Sequence, residues 1–492
     1  MSAFPWTDES VRRALGLRVD LADAGVEYAG VSTDSRTVTD GDLYVALVGD
    51  RFDGHDFVAD ALAKGALGAV VSRPAPGDPR GRLYPVEDTL VALGQLAAHR
   101  RDRIDAPVVA ITGSSGKTST KDMAAAALSA TLRVHATRGN LNNRIGMPLT
   151  LLAAPTDVEA VVLELGTNEP GEIRTLARIA RPDVAVITTV GESHLEKLGS
   201  LGGVLDEKLD LLRHLADGGR CVVGDDPEVL AERARALCSR VHVVGWSERA
   251  DEDSRPEDSE VDVFGRCSFT WKGQRTVAPA PGRHSVSNAL MALTVADLLG
   301  VPAVEAIRGL GTAERGSLRG EFRRIGDLTV IVDCYNANPQ SVRAALDVLE
   351  SQGVVARKVA VLGSMLELGS AAEQLHADVF AEALQREIDL IVATGDFASA
   401  AASVDATDGP EVVTAPTWQD AYPRLRDRLE GDEIVLLKAS RGIAMEGLLP
   451  LLQADYGASE DGQDGKDGQD GKDGLATAAN GADLFGAGTV ER

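Results

Sequence analysis

The stretch from Val108 to Thr118 reads VVAITGSSGKT and joins a short apolar run to a glycine-rich turn, a lysine and a threonine. Glycines let backbone N–H groups approach phosphate oxygens, and a helix starting directly after the turn adds the positive end of its dipole. Lys117 could then reach the outer phosphates of a nucleotide, and the Thr118 hydroxyl could bind Mg²⁺. The turn is shorter than a Walker A loop, so nucleotide binding is predicted with an ordinary strand–helix turn as the alternative. The predicted contacts are Gly113, Ser114, Ser115, Gly116, Lys117, Thr118 and Ser119.

Two further residues follow apolar strands and could complete a metal site beside this loop. Glu164 ends the run AVVLE, and His194 follows the run DVAVITTV in the segment GESHLEKLGS. The carboxyl ends of parallel strands share one edge of a sheet, where open α/β sheets bind their ligands. Each residue alone would also fit a structural role, as a charge at a strand end or as a histidine in a surface loop. Together with Thr118 they predict a magnesium–nucleotide site.

Two segments are unusually rich in amide side chains. Residues 137–152 read TRGNLNNRIGMPLTLL and place polar residues directly before an apolar helix. Residues 333–339 read DCYNANP and end a buried strand in amides, again at the carboxyl edge. A long polar loop is the simpler explanation of the first segment, but its polar residues together suggest recognition of a polar ligand. They are Arg138, Asn140, Asn142 and Asn143.

The elements that must position these residues are short apolar strands that alternate with helical stretches. Near-continuous Val/Ile runs between helices predict α/β domains with parallel sheets covered on both faces. The predicted domains are residues 1–105, 106–313 and 314–455. Residues 456–492 contain an Asp/Gly repeat with nothing to bury, which predicts a disordered acidic tail, with calcium binding as the alternative.

Composition excludes several classes of protein. The formal net charge of the 492 residues is −25, so nucleic acid and anionic membrane surfaces would both repel the chain. Four cysteines without a C-x-x-C pair predict free thiols in a reducing compartment. The N-terminal residues lack an apolar signal core, and no apolar run approaches the ~20 residues that span a bilayer. These features predict a cytoplasmic protein that binds neither nucleic acid nor membranes.

Several motifs together carry a resemblance to a known family. In chain order they are TGSSGKT, TRGNLNNRIGMPLTLL, ELGTNEPGEI, GESHLEKLGS, GRHSVSNALMAL, DCYNANPQSVRAAL and LKASRGIAMEG. With these motifs the chain resembles the Mur ligases, the ATP-dependent amide-forming enzymes of peptidoglycan precursor synthesis. The family loop, T-G-[ST]-x-G-K-T, accounts for the short turn. Ser285 and Ser364 depart from the pattern, because the family commonly has asparagine and aspartate at these positions.

The resemblance implies a role for each domain. The N-terminal α/β domain would hold the UDP-sugar end of the substrate, the central P-loop domain would hold ATP, and a Rossmann-like C-terminal domain would close over the site. Lys208 would be carbamylated by CO₂, which turns a cation into a carboxylate that can bind Mg²⁺ with Thr118, Glu164 and His194. Lys117, Glu164, His194 and Lys208 would form the catalytic set. The other implied contacts are Thr33, Asp34, Ser35 and Arg36 with uridine, Asn288 with adenine, Arg319, Asp333, Tyr335 and Asn338 with ATP, and Lys438, Ser440 and Arg441 with the incoming amine.

The resemblance further implies the reaction, in which D-alanyl-D-alanine is joined to UDP-N-acetylmuramoyl-tripeptide. We expect the enzyme to be a monomer, although the sequence carries no direct signal of the oligomeric state. The tripeptide carboxylate would attack the γ-phosphate of ATP, and the dipeptide amine would then displace phosphate from the acyl phosphate. Three alternatives stay open: a sister ligase adding diaminopimelate or lysine, folylpolyglutamate synthase, and a nucleotide-binding module without ligase activity. The amide-rich segments argue against the first two, and the metal set of Glu164, His194 and Lys208 argues against the third.

Overall fold

A computed structural model describes residues 4–19, 25–74, 82–262, 265–314, 316–353, 356–404 and 409–457. Residues 458–492 contain nearly all of the segment predicted to be disordered, and they lie outside the described residues. Of the helices in the described part of the chain, none has both the length and the apolar character needed to cross a membrane.

The N-terminal domain contains a small parallel sheet with the strand order β3-β4-β5-β6. A separate antiparallel pair, β1 with β2, lies at the start of the chain. The helix α3 leads out of the domain and is capped by the Asp88 carboxylate, which accepts from the N–H groups of Leu90 and Val91. The elements are β1 (Trp6–Thr7), α1 (Asp8–Ala14), β2 (Glu27–Tyr28), β3 (Val31–Ser32), β4 (Leu43–Val45), α2 (Val58–Ala63), β5 (Gly68–Val71), β6 (Arg82–Pro85) and α3 (Thr89–Arg101).

The central domain is built on a six-stranded, all-parallel sheet with the order β12-β11-β10-β7-β9-β8. Helices cover both faces, as the apolar runs predict. The elements are β7 (Val108–Thr112), α4 (Lys117–Ser129), β8 (Val134–Ala136), α5 (Gly146–Leu152), β9 (Ala160–Glu164), α6 (Glu172–Ala180), β10 (Val184–Ile187), α7 (Leu195–Leu198), α8 (Leu201–Leu209), β11 (Arg220–Gly224), α9 (Glu228–Leu237), β12 (Val241–Val244), β13 (Glu257–Val261), β14 (Cys267–Trp271), β15 (Gln274–Val277), α10 (Arg283–Leu298) and α11 (Ala303–Leu310).

The C-terminal domain repeats this architecture with a second six-stranded sheet of the order β16-β17-β21-β18-β19-β20. All neighbouring strands are parallel except the edge pair β16 and β17. The elements are β16 (Glu321–Ile325), β17 (Leu328–Asp333), α12 (Pro339–Glu350), β18 (Lys358–Leu362), α13 (Ala372–Ala383), β19 (Leu390–Thr394), α14 (Asp396–Ser403), β20 (Glu411–Ala415), α15 (Trp418–Arg426), β21 (Ile434–Lys438) and α16 (Leu448–Tyr456).

Antiparallel strands are the part of the fold that the apolar runs did not predict. The strands β13, β14 and β15 form an antiparallel meander in the central domain. The residues of β13 read EDSEV and are all exposed, so no apolar run marks that strand. The strands β1 and β2 have two residues each, too few for any periodicity to be visible.

The hydrophobic cores join the N-terminal and central domains more extensively than the central and C-terminal domains. One continuous core runs from Trp6 in the N-terminal domain to Val108 in the central sheet, so these two domains share buried apolar surface. The C-terminal sheet has a core on each face, and Leu195 of the central domain packs against one of them. The two large sheets therefore come together near α7, which directly follows His194.

Candidate active site

The glycine-rich loop joins β7 to α4, and its conformation requires glycine at two positions. Gly113 has a φ of +152° and Gly116 a φ of +80°, which residues with a side chain rarely adopt. A Cβ on Gly113 would overlap the Thr188 hydroxyl, and one on Gly116 would lie 2.5 Å from Oδ1 of Asn288. The loop is therefore pressed between the end of β10 and α10, with the N-terminal end of α4 at the sheet edge. Asn288, predicted to contact adenine, lies directly against this loop.

The side chain of Lys117 folds back over the loop. Its Nζ donates to the carbonyl oxygen of Gly113 at 2.7 Å. Burial lowers the pKa of Lys117, the nearby Glu164 carboxylate opposes this, and the Arg319 guanidinium of the C-terminal domain lowers the pKa further. Lys117 is therefore within the electrostatic influence of the predicted metal ligand Glu164 and of a cation from another domain.

Ser114 connects the loop to the segment that carries His194. Its hydroxyl donates to the Gly191 carbonyl oxygen and accepts from the Gly191 N–H, both at 3.0 Å. The Ser193 hydroxyl donates to Oγ of Ser114 at 2.9 Å. The Ser114 N–H donates to the Thr189 carbonyl oxygen at 2.8 Å, so both donor groups of this residue are engaged within the protein, and its nucleotide contact stays a prediction. The sequence did not indicate this link, because the partners are 77 residues apart.

Glu164 ends β9 at the sheet edge and is 1 % exposed. The Asn142 amide donates to its Oε1 at 2.7 Å, while its Oε2 is buried and has no hydrogen-bond partner within the described part of the chain. A buried carboxylate oxygen without a donor is costly unless something cationic binds it. Asn142, which the sequence indicated only as part of a polar-ligand segment, therefore also orients the predicted metal ligand.

Lys208 lies on α8 and is 0 % exposed. Its Nζ has no hydrogen-bond partner among the described residues. Burial holds the pKa of Lys208 well below its usual range, and the Lys117 ammonium acts in the same direction. A low pKa favours the neutral amine, which is the nucleophilic form that reacts with CO₂. From the sequence without the family resemblance, Lys208 would be read as a solvated helix residue, and the structure buries it completely.

His194 follows β10 and has a φ of +53°, a left-handed conformation that is uncommon for a non-glycine residue. Its Nδ1 lies 2.6 Å from Oε2 of Glu367, which belongs to the C-terminal domain. Burial lowers the pKa of His194, and the Glu367 carboxylate partly opposes this. Sequence reasoning did not identify Glu367. Its only signal in the sequence is its position in the segment SMLELG, three residues after Ser364.

The C-terminal domain brings further predicted residues over the loop. The Arg319 guanidinium stacks 3.9 Å from the centre of the Tyr335 ring. Asn338 caps α12 by accepting from the Ser341 N–H, and its Nδ2 lies 3.2 Å from Oγ of Ser115 in the glycine-rich loop. These contacts bring the predicted ATP residues of two domains together.

The predicted amine-binding residues form contacts within the C-terminal domain. Lys438 is buried and pairs with Asp333 at 2.8 Å, and it also donates to the Asn336 carbonyl oxygen. Ser440 is buried and accepts from the Leu366 N–H at 2.9 Å. Arg441 is exposed and pairs with Glu446. Their substrate roles stay predictions; in the structure, Lys438 and Ser440 hold the loops at the sheet edge.

The remaining predicted residues are surface groups. Asp34 accepts from the Arg36 guanidinium at 2.7 Å, and the Ser35 carbonyl oxygen accepts from Lys64. Oδ1 of Asn143 accepts from the N–H groups of Ile145 and Gly146, directly before and at the start of α5. Thr33 is half-buried, whereas Arg138 and Asn140 are exposed. The structure thus places Thr33, Asp34, Ser35 and Arg36 together on the N-terminal domain, away from the direct contacts of the loop.

The donor set fits a magnesium ion bound together with a nucleotide. No group of three or more His, Cys, Asp or Glu side chains in the described ranges could hold a metal. The predicted set instead offers Glu164, His194 and the Thr118 hydroxyl, and a carbamate on Lys208 would add the second anionic oxygen ligand. Phosphate oxygens would supply the remaining positions, as Mg²⁺ sites in nucleotide enzymes commonly require.

Comparison with known proteins identifies the class. Residues 27–101 match the Mur ligase family catalytic domain, residues 111–296 the Mur ligase middle domain and residues 318–441 the Mur ligase glutamate ligase domain. A relative that is 35% identical covers 85% of this chain and 92% of its own length. This chain therefore belongs to the Mur ligase family. The predicted family, ligase class and three-domain α/β fold are confirmed, whereas the domain boundaries stay predictions.

Individual relatives show which members of the family this chain resembles. The UDP-N-acetylmuramoyl-tripeptide–D-alanyl-D-alanine ligase of Bacillus subtilis (strain 168) is 35% identical over 427 residues, which cover 85% of this chain and 92% of that protein. A crystal structure of MurF from Acinetobacter baumannii superposes with a TM-score of 0.83 at 33% identity, covering 92% of this chain and 100% of the other. MurF ligase from Thermotoga maritima in complex with ADP superposes with a TM-score of 0.75 at 27% identity, covering 87% and 97%.

Proposed function

We propose that this protein is the ATP-dependent ligase that joins D-alanyl-D-alanine to UDP-N-acetylmuramoyl-tripeptide. The similarity to ligases of that name extends over nearly their whole length, which supports the assignment to this branch of the family. The observation that carries the chemistry is the pair of buried, unpartnered atoms, Glu164 Oε2 and Lys208 Nζ, beside the glycine-rich loop. Buried polar atoms without a partner are uncommon, and a bound metal together with a carbamate on Lys208 would give both of these atoms one.

The reaction needs positioning and charge neutralisation more than it needs a nucleophile from the protein. The terminal carboxylate of the tripeptide attacks the γ-phosphorus of ATP, the bond to ADP breaks, and an acyl phosphate forms. The dipeptide amine then attacks the acyl carbon, and phosphate leaves. The loop N–H groups and Lys117 would hold the transferred phosphoryl group and stabilise its developing charge. The docked C-terminal domain would exclude water, which otherwise hydrolyses the acyl phosphate.

Mg²⁺ bound here would supply charge neutralisation for the transferred phosphoryl group. We propose that Glu164, His194, Thr118 and carbamylated Lys208 hold it. Lys208 would react as the neutral amine, attacking CO₂ and releasing one proton to give the carbamate. Its burial supports this proposal, because the environment disfavours the ammonium form and the product gains a cation to bind.

The carbamate is testable without turnover. ¹³C nuclear magnetic resonance of protein incubated with ¹³C-bicarbonate and Mg²⁺ should show one additional carbonyl signal, which disappears in Lys208→Met and persists in Lys197→Met. Lys197 is an exposed lysine on the neighbouring helix α7 and serves as the matched control. A wild-type spectrum without that signal would remove the carbamate from the proposal and leave the ligase assignment standing.

Substrate contacts follow from the placement of the remaining polar residues. We propose that Thr33, Asp34, Ser35 and Arg36 bind the uridine end, and that the segment with Arg138, Asn140, Asn142 and Asn143 binds the substrate near its peptide. Asn288, Arg319, Asp333, Tyr335 and Asn338 would contact ATP, and Lys438, Ser440 and Arg441 would lie near the dipeptide. A monomeric enzyme in the cytoplasm is part of the same proposal, because the substrates are a nucleotide-linked sugar and ATP.

One assay separates this function from its alternatives. Purified protein receives ATP, Mg²⁺ and UDP-N-acetylmuramoyl-tripeptide together with D-alanyl-D-alanine, single amino acids including diaminopimelate and lysine, or no amine. Phosphate release and a product of the expected mass should appear with the dipeptide alone. Parallel reactions replace the tripeptide substrate by UDP-N-acetylmuramoyl-dipeptide with a single amino acid, or by folate with glutamate. Turnover of the first pair would favour a sister ligase, and turnover of the second would favour folylpolyglutamate synthase. ATP binding without any turnover would favour the nucleotide-binding module.

A further inference from the structure

We infer that Glu367 of the C-terminal domain is a positioning residue that fixes the His194 imidazole, so that docking of this domain completes the metal site. The inference rests on the metal site of the proposed function. It adds that the site belongs to two domains, whereas the predicted ligands all belong to the central domain. The metal affinity would then depend on whether the C-terminal domain is docked.

The contact is direct and is embedded in a tight interface. Oε2 of Glu367 lies 2.6 Å from Nδ1 of His194, which is within ion-pair distance, although the angle in this arrangement does not make a hydrogen bond. Two residues further along the central domain, the N–H of Glu196 donates to the Glu367 carbonyl oxygen at 3.1 Å. Gly369 packs so closely that a Cβ would lie 2.9 Å from Cα of Glu196. The side chain and the backbone of Glu367 therefore both contact the segment that carries His194.

Both partners have an unfavourable backbone conformation. The φ angle of Glu367 is +66° and that of His194 is +53°, although neither is a glycine. Residues with side chains adopt this region at a cost, and such conformations persist where the surroundings impose them. Two such residues in direct contact across a domain interface indicate that the chain is held here for the contact itself.

The chemistry of the pair explains what the contact would do. A carboxylate on one ring nitrogen of a histidine fixes both its tautomer and its orientation, and the other nitrogen is left as the metal ligand. With Nδ1 of His194 facing Glu367, Nε2 is the nitrogen for the metal. The Glu367 side chain is 53 % exposed, and solvent screens such a contact, so it would contribute little to the stability of the fold. A positioning role accounts for it better, because orientation requires little binding energy.

Manganese binding tests the inference without relying on turnover. Mn²⁺ binding to the full-length protein in the presence of ADP is followed by electron paramagnetic resonance for wild type, Glu367→Ala, Glu367→Gln and Glu373→Gln. Loss of a carboxylate that orients a metal-bound histidine typically weakens binding about 10–100-fold. We expect a rise of the Mn²⁺ dissociation constant in that range for Glu367→Ala and a smaller rise for Glu367→Gln. The exposed Glu373, in the first turn of α13, is the matched control and should change nothing.

A steric variant separates positioning from the loss of a charge. Gly369→Ala keeps the carboxylate but pushes the two segments apart. It should also weaken Mn²⁺ binding, and the double variant with Glu367→Ala should be no weaker than the poorer single variant, because both act through one contact. Dissociation constants within twofold of wild type for Glu367→Ala would overturn the inference, as would fully additive effects of the two substitutions. Should wild type itself bind no Mn²⁺ with ADP, the metal site of the proposed function fails instead.

Discussion

The two large sheets have the same architecture but treat the polar residues at their carboxyl edges differently. In the central sheet, Glu164 Oε2 and Lys208 Nζ are buried beside the edge without a hydrogen-bond partner within the described residues. In the C-terminal sheet, Asp333 pairs with Lys438, and Ser440 accepts from the N–H of Leu366. Glu164, Asp333 and Lys438 each end a parallel strand and Lys208 lies on the helix α8, yet among the described residues the unpartnered atoms of this set belong to the central domain.

The difference indicates a division of labour between the two domains. A buried polar atom without a partner raises the free energy of the folded state, and it is tolerated where a ligand supplies the partner. A saturated polar cluster instead stabilises its loops and presents a fixed surface. The central domain would therefore bind the metal and the nucleotide, while the C-terminal domain contributes shape, closure and single contacts such as Glu367 with His194. Each prediction below tests one side of this contrast.

The largest effect is expected for Lys117→Ala in the central domain. The substitution removes the cation at the glycine-rich loop, and losing one preorganised group that stabilises transition-state charge costs roughly 10²–10³-fold in kcat. The fold should persist, because the side chain's hydrogen bonds go to carbonyl oxygens of its own loop. Steady-state ligation assays together with circular dichroism measure both. Lys197→Ala, which removes an exposed lysine of the same domain, should keep wild-type turnover. A near-normal kcat in Lys117→Ala would contradict the assignment of the loop as the phosphate-binding site.

The second prediction compares the two buried lysines directly. Lys208→Met removes an amine without a partner, so in buffer free of bicarbonate and Mg²⁺ the free energy of unfolding should stay the same or rise by about 1 kcal/mol. Lys438→Met leaves the Asp333 carboxylate without its cation, which should lower the free energy of unfolding by about 3 kcal/mol, since breaking a buried pair costs roughly 3–5 and Asp333 is partly exposed. Ligase activity should be lost in Lys208→Met.

Urea denaturation of the two variants and wild type gives the comparison. The contrast between the sheets predicts opposite behaviour. Lys208→Met should abolish activity without lowering the free energy of unfolding, whereas Lys438→Met should lower the free energy of unfolding. Equal destabilisation by both substitutions would show that Lys208 is as well satisfied as Lys438, and the contrast would then be wrong.

The sequence predicted those parts of the site that depend on local pattern and strand topology. Glycine, lysine and threonine in TGSSGKT require only a strand before and a helix after them. Glu164 and His194 follow apolar runs, and parallel strands bring their ends to one edge wherever they stand in the sheet order. The same reasoning gave the α/β class, because buried parallel strands have continuous apolar runs.

Contacts between distant segments were not accessible in this way. Lys208 lies on a helix whose buried face depends on what packs against it, so only the family resemblance marked it. Asp333 and Lys438 are paired in register on β17 and β21, which is visible only once the strand order is known. Glu367 reaches His194 because two domains dock, and no local pattern records a docking interface. The missed residues are therefore those whose role depends on tertiary placement.

A third prediction concerns the residue that orients Glu164. Asn142→Ala removes the donor to Oε1 and leaves the carboxylate free to rotate. Partners of this kind typically affect metal affinity about 10–100-fold. The Mg²⁺ concentration for half-maximal activity should therefore rise by this factor, with kcat recovered at saturating Mg²⁺. Asn168→Ala, which removes an exposed amide in the following loop, is the control and should leave the Mg²⁺ requirement as it is. A change in kcat alone, with the same Mg²⁺ requirement, would contradict the orienting role of Asn142.

The smallest effect is expected at Asn338, where the C-terminal edge contacts the central loop. Its Oδ1 caps α12, and its amide also contacts Ser115. Loss of a helix cap costs about 1 kcal/mol, so Asn338→Ala should lower the free energy of unfolding by that amount. Asn338→Ser retains a capping hydroxyl but is too short to reach Ser115, so it should keep stability and raise the KM for ATP several-fold. If Asn338→Ser instead matches wild type in the KM for ATP, the residue serves only to cap its own helix. Polar groups at the C-terminal edge would then act within their own domain, in clearer contrast to the unpartnered groups of the central domain.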